Sequence, residues 1–148
     1  MSVQSRLNNA VIAFILAGLG LNKTDQILLT DAGRTTPLVF GTLLAKVAAT
    51  QKWVPFISET ATDGTASPQG IYIGADITAA DIVAGDITDL SVLTGDAVVD
   101  VNQLVIENSK TLDTIIGVTS VNARTVRDQL AFRGIFAEDT VNISSFEN

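Results

Sequence analysis

The chain reads as a mainly β protein, a small barrel or sandwich with one short C-terminal α-helix. Three observations predict this. Its apolar residues fall in short runs rather than long periodic stretches; turn chemistry such as Asp63-Gly64 and Thr94-Gly95-Asp96 separates those runs; and helical patterning is convincing in one segment near the end. At 148 residues and 15.5 kDa the chain has the length of one domain with a core of its own. Apolar residues make up 47% and charged residues 17%, so extensive disorder is disfavoured.

The first element is ambiguous. Residues Asn9 to Leu21, "NAVIAFILAGLGL", follow Arg6 and carry no charge. The run is too short to span a bilayer, and Gly18 and Gly20 fall where a spanning helix needs bulk. A charged start before an apolar run is the general form of a secretory signal, although the positive region is thin and no good small-x-small cleavage site follows Leu21. A buried strand, a short packed helix, or an arm buried against a partner fits equally.

Ile27 to Thr30 is a short apolar run closed by the loop "DAGRTTP". Leu38 to Ala48 and Lys52 to Ile57 flank the tight connection "ATQK" and predict a hairpin. Ser58 to Gly70 is a loop in which Gly64 suits a positive φ. "IYIGADI" resumes the strand pattern at Ile71, and "LSVLTGDAVVDVNQLVI" supplies two further runs around Thr94-Gly95-Asp96. The expected total is six or seven strands.

Between Ala75 and Asp89 the units "ADITA", "ADIVA" and "GDITD" place Asp76, Asp81 and Asp86 five apart. Three units are too few for a solenoid, and a calcium loop spaces its oxygen ligands two residues apart around a glycine. The expectation is a loop with solvated acids and inward Ile and Val. In "SVNARTVRDQLAFRG", Asn122 can cap a helix, Arg124 and Asp128 can pair, Val126 and Leu130 share a face, and Gly134 supplies the stop. "IFAEDTVNI" is expected as a closing strand.

Composition also limits the chemistry. The chain has no Cys and no His, which removes disulfides, thiol nucleophiles, the usual general base and the commonest transition-metal ligand. No catalytic, cofactor or metal site is expected. Net charge is −7, and between Trp53 and Ser109 nine acids stand without a single Lys or Arg. Such a surface repels phosphate backbones, so neither nucleic acid nor membrane is an expected partner. The nine basic residues lie scattered outside that stretch.

Several strings, in order, carry a resemblance to a known family. "GTLLAKVAATQKWVPF" (Gly41 to Phe56) is a Gly-Thr opening, a strand, a Thr-containing tight turn and an aromatic-x-Pro-aromatic close. "TDGTASPQGIYIG" follows, then "DIVAGD", "SVLTGDAVVDVNQL" and "QLAFRGI", with Ser5-Arg6 ahead of the first apolar run. Together they resemble the lambda-type head decoration proteins of tailed bacteriophages, over roughly Gly41 to Ile135. Ala45 and Gln51 stand where that family commonly carries Gly, and Val105 to Asn122 is longer than its usual connection to the helix.

The resemblance implies a non-enzymatic structural virion protein on the outer surface of the phage head, binding the expanded capsid as homotrimers at threefold and local threefold positions. Its partners would be the major capsid protein and itself. The expected division is an N-terminal arm, residues 1–36, and a β-rich decoration domain, residues 37–148. The capsid contact is assigned to Ser5, Arg6, Leu7, Asn8, Asn9, Val11 and Ile12, whose apolar run could add a strand to a capsid edge. The trimer interface is assigned to Trp53, Phe132, Ile135 and Phe136, with core as the alternative for these aromatics. Two other classes remain open: a different virion or cell-surface β-module, such as a tail, adhesion or calcium-dependent component, and a carboxylate enzyme using Asp96 with Asp100.

Overall fold

In the computed structural model, which describes residues 14–116 and 123–139, the apolar runs become strands because both of their faces are covered. On β3 (Leu43–Lys46), Leu43 and Ala45 enter one hydrophobic core while Leu44 enters another. On β5 (Pro68–Tyr72), Ile71 belongs to the first core and Tyr72 to the second. On β6 (Ile87–Gly95), Leu93 joins the first, and Leu90 and Val92 join the second. A strand buried on both faces needs apolar residues at successive positions, and the sequence shows this as short unbroken runs.

With β2 (Leu21–Leu28) and β4 (Trp53–Pro55), these strands close a five-stranded barrel in the order β2-β4-β3-β5-β6. The expected hairpin is present as the antiparallel pair β3 and β4, with Lys46 opposite Trp53. Its connection turns through Gln51 at φ 58, a left-handed conformation in a residue with a Cβ. The barrel closes where Leu28 meets Trp53 in parallel register.

A second layer covers the outside of β3, β5 and β6. It consists of a three-stranded sheet, in the order β1-β7-β10, formed by β1 (Ile15–Ala17), β7 (Ala97–Asp100) and β10 (Ile135–Glu138). Helix α2 (Val126–Phe132) packs beside it, burying Val126 and Leu130. Phe14, Val99, Ile135 and Ala137 line the core between the layers. A two-stranded ribbon, β8 (Ile115–Ile116) with β9 (Arg124–Thr125), leads into α2.

The mainly β expectation therefore holds, with a closed barrel, and ten strands are found among the described residues rather than six or seven. The difference has clear physical sources. Strand β2 exposes Asn22, Lys23, Thr24 and Asp25, so it lacks the apolar signature, and register shifts along its pairing with β6 bend it. The apolar segment before it supplies buried Phe14 and then β1, so residues 14–28 of the expected arm are built into the body. Ala75 to Asp89 is not all loop. It folds helix α1 (Ala79–Ala84), capped by the Thr78 hydroxyl accepting from the Asp81 N–H and anchored by buried Ile82.

Helix α2 starts differently from the expectation. Thr125 caps it, accepting from the Asp128 N–H while the Asp128 carboxylate accepts from the Thr125 N–H. This occupies Asp128, and Arg124 instead places its guanidinium 4.9 Å from the centre of the Phe132 ring. Asn122, the expected cap, lies outside the described residues. The expected stop at Gly134 is present at φ 83.

Candidate functional site

Among the described cations, three are held in ion pairs. Arg34 forms a fork on Glu107, with Nη1 to Oε2 at 2.7 Å and Nη2 to Oε1 at 2.5 Å; Lys52 meets Asp86 at 2.5 Å, and Lys110 meets Glu59 at 2.7 Å. Lys52 and the Thr30 N–H together hold the Asp86 carboxyl below its ordinary value. Arg127 donates to the Ala137 carbonyl at 2.6 Å, covering part of the β10 edge. The rest, Lys23, Lys46, Arg124 and Arg133, have no ion pair among the described residues.

These four gather around one corner of the barrel, where β6 turns into β7 through Gly95 and Asp96. Leu21 stands opposite Gly95, and any side chain at Gly95 would meet the Arg133 carbonyl at 3.0 Å. Glycine there lets the turn after α2 press onto the barrel end. The Gly20 N–H donates to the Asp96 carbonyl at 2.8 Å, which brings Leu19 and Leu21 to the same corner. Lys23 follows two residues along β2. Lys46 lies 4.8 Å over the Trp53 ring at the strand end facing this mouth, and its ammonium is held below its ordinary value by burial first, then by Lys23 and Arg133.

The same corner exposes much of the molecule's large apolar surface. Leu19 is 88% exposed, Leu21 57%, Phe132 72% and Phe136 49%. Register places Ala17, Val98 and Phe136 in one row across the outer face of the three-stranded sheet. Cations beside exposed aromatic and aliphatic groups make a surface suited to binding an acidic, partly apolar protein face.

Of the residues expected at a trimer interface, Phe132 and Phe136 stand on this surface. Trp53 and Ile135 do not; at 2% and 0% exposure they fill the barrel and the inter-layer core. The Trp53 indole N–H donates to Gln26 Oε1 at 2.9 Å, which satisfies its polar edge within the fold. Ser5, Arg6, Leu7, Asn8, Asn9, Val11 and Ile12, expected at the capsid contact, lie outside the described residues. Leu19, Leu21, Lys23 and Arg133 were not singled out from sequence. Leu19, Leu21 and Lys23 lie more than a hundred residues from Arg133 in the chain, so no local pattern joins them.

The carboxylate pair weighed as an enzyme site is not assembled. Asp96 accepts from the Leu19 N–H at 3.4 Å, whereas Asp100, at the far end of β7, caps a 3₁₀ turn by accepting from the Asn102 N–H and Gln103 Nε2. Among the described residues no three acids converge in a way that could hold a metal ion, and no helix is long and apolar enough to cross a membrane. One open groove of about 600 Å³ runs beside β4, between Val54 and Ile57 on one side and the Arg34–Glu107 pair on the other. Both charges of that pair are engaged with each other.

In comparisons with known proteins, no family model matches the chain significantly, and no curated protein or solved structure does so.

Proposed function

We propose that the protein is a structural component of a phage virion that binds the outside of the expanded capsid, as trimers at threefold and local threefold positions, and stabilises the head against the pressure of packaged DNA. The observation that carries this reading is the exposed apolar corner on an otherwise well-buried barrel, with Leu19, Leu21, Phe132 and Phe136 presented on a rigid frame. Surface of that kind is what association with a second protein removes from water. The ordered strings from Gly41 to Ile135 supply the virion context.

The role is physically economical. A protein that binds only the finished lattice stabilises it by mass action, and a trimer that touches several capsid subunits gains avidity from modest individual contacts. In this reading the segment Ser5 to Ile12 makes the capsid contact by adding a strand to an exposed edge.

The test is to incubate purified protein with undecorated expanded heads and count retained copies by sedimentation and gel densitometry. Saturation near one copy per capsid subunit is expected. Absence of retention by folded protein overturns the reading.

A further inference from the structure

The cationic corner is chemically unusual for this chain. With a net charge of −7, most of the molecular surface repels a second copy, yet Lys23, Arg124 and Arg133 stand exposed beside Leu19, Leu21 and Phe132. Arg133 forms no ion pair among the described residues; of the acids on the neighbouring segments, Asp96 accepts from the Leu19 N–H and Asp25 from the Gln26 side-chain amide, so the four cations of the corner outnumber them.

The chain also carries the complement of this corner. Helix α1 and its flanks expose Asp76 and Asp81 together with Ala80, Val83 and Ala84, and Val83 is 43% exposed. This face sits at the other end of β2. The Thr30 hydroxyl donates to the Ile82 carbonyl at 2.8 Å, so α1 is fastened just beyond Leu28, whereas Leu21 begins the strand at the cationic corner. The seven residue steps from Leu21 to Leu28 span at most about 23 Å along the strand.

We infer that the cationic corner of one copy docks on the acidic, apolar face of α1 of the next copy, in a head-to-tail contact that closes the trimer. The inference rests on the self-association in the proposed function and assigns its two surfaces. An interface of the corner with itself would set Lys23 and Arg133 against their own counterparts, whereas corner on α1 pairs opposite charges and covers apolar groups on both sides. Two different faces on one protomer generate a ring whenever the rotation between successive copies closes.

The experiment is sedimentation velocity of the full chain at low and at high sodium chloride, with retention on heads and thermal melting measured in parallel. The parent is expected to be trimeric at low salt and to dissociate as salt rises. Lys23→Glu with Arg133→Glu is expected to weaken association about ten-fold or more with melting unchanged. Asp76→Lys with Asp81→Lys, added to the same chain, is expected to restore it. The milder pair Lys23→Ala with Arg133→Ala serves if the reversal melts early.

A reversed chain that stays trimeric overturns the inference, as does a four-fold variant that fails to reassemble. A parent that is monomeric at all concentrations also overturns it, and head retention then reads the decoration role separately. A reversed chain that remains trimeric but leaves the heads moves the corner to the capsid contact and overturns the inference while keeping the proposed function.

Discussion

The Trp53 indole N–H donates to Gln26 Oε1 at 2.9 Å, tying β4 to β2 beside the seam at which the barrel closes. Removing the acceptor leaves a partly buried donor unpaired. Gln26→Leu is expected to lower stability by about 1–2 kcal/mol. Trp53→Ala, which empties the barrel, is expected to cost about 3–5 kcal/mol. Because Trp53 is the only tryptophan, its fluorescence during denaturant unfolding follows this seam directly.

Phe132 is expected to contribute little to the fold and much to association. At 72% exposure its ring packs mainly against the Arg124 guanidinium. Phe132→Ala is expected to change unfolding stability by no more than about 0.5 kcal/mol while reducing assembly in analytical ultracentrifugation. A large fall in melting temperature would place the ring in the protein's own core.

Tyr72 predicts the alkaline limit of the barrel. Burial first, and Asp76 second, raise its phenol from 10.0 to about 12. The folded state therefore keeps the proton over a range in which the unfolded chain loses it. Stability from this group is intact below pH 10 and is lost as pH rises toward about 12. As the only tyrosine, it can be titrated by phenolate absorbance, and Tyr72→Phe is expected to flatten the alkaline limb of the stability curve.

The Arg34–Glu107 fork joins the loop after β2 to the segment after β7. The Arg34 side chain is only 7% exposed, so breaking the pair leaves a half-buried carboxylate without its partner. Arg34→Ala is expected to cost about 1–3 kcal/mol in thermal or denaturant unfolding. Arg34→Ala with Glu107→Ala is expected to recover part of that loss.

What could be read from sequence followed burial. The runs around Leu43, Ile71 and Leu93 were legible because their strands are covered on both sides, and the hairpin between β3 and β4 was legible from its turn. Strand β2 was not, since four successive residues from Asn22 to Asp25 face solvent. Helix α1 is six residues long and held by one buried side chain, Ile82, too little for a periodic signal. The cationic corner was invisible for a different reason. Lys23 and Lys46 are far in the chain from Arg124 and Arg133, which flank helix α2, and the fold rather than the sequence brings them to one corner.

The outer sheet has a consequence for synthesis. Strand β7 pairs with β1 from residues 15–17 and with β10 from residues 135–138, so the first and last described strands share one neighbour. The barrel strands end at Gly95, and a nascent chain can in principle close them while its remainder is still in the ribosome. The sheet cannot be completed until Glu138 has cleared the exit tunnel. Until then Val99 and Ala97 lack the cover that Ile135 and Ala137 provide, and a prematurely terminated chain would display that surface to proteases and chaperones.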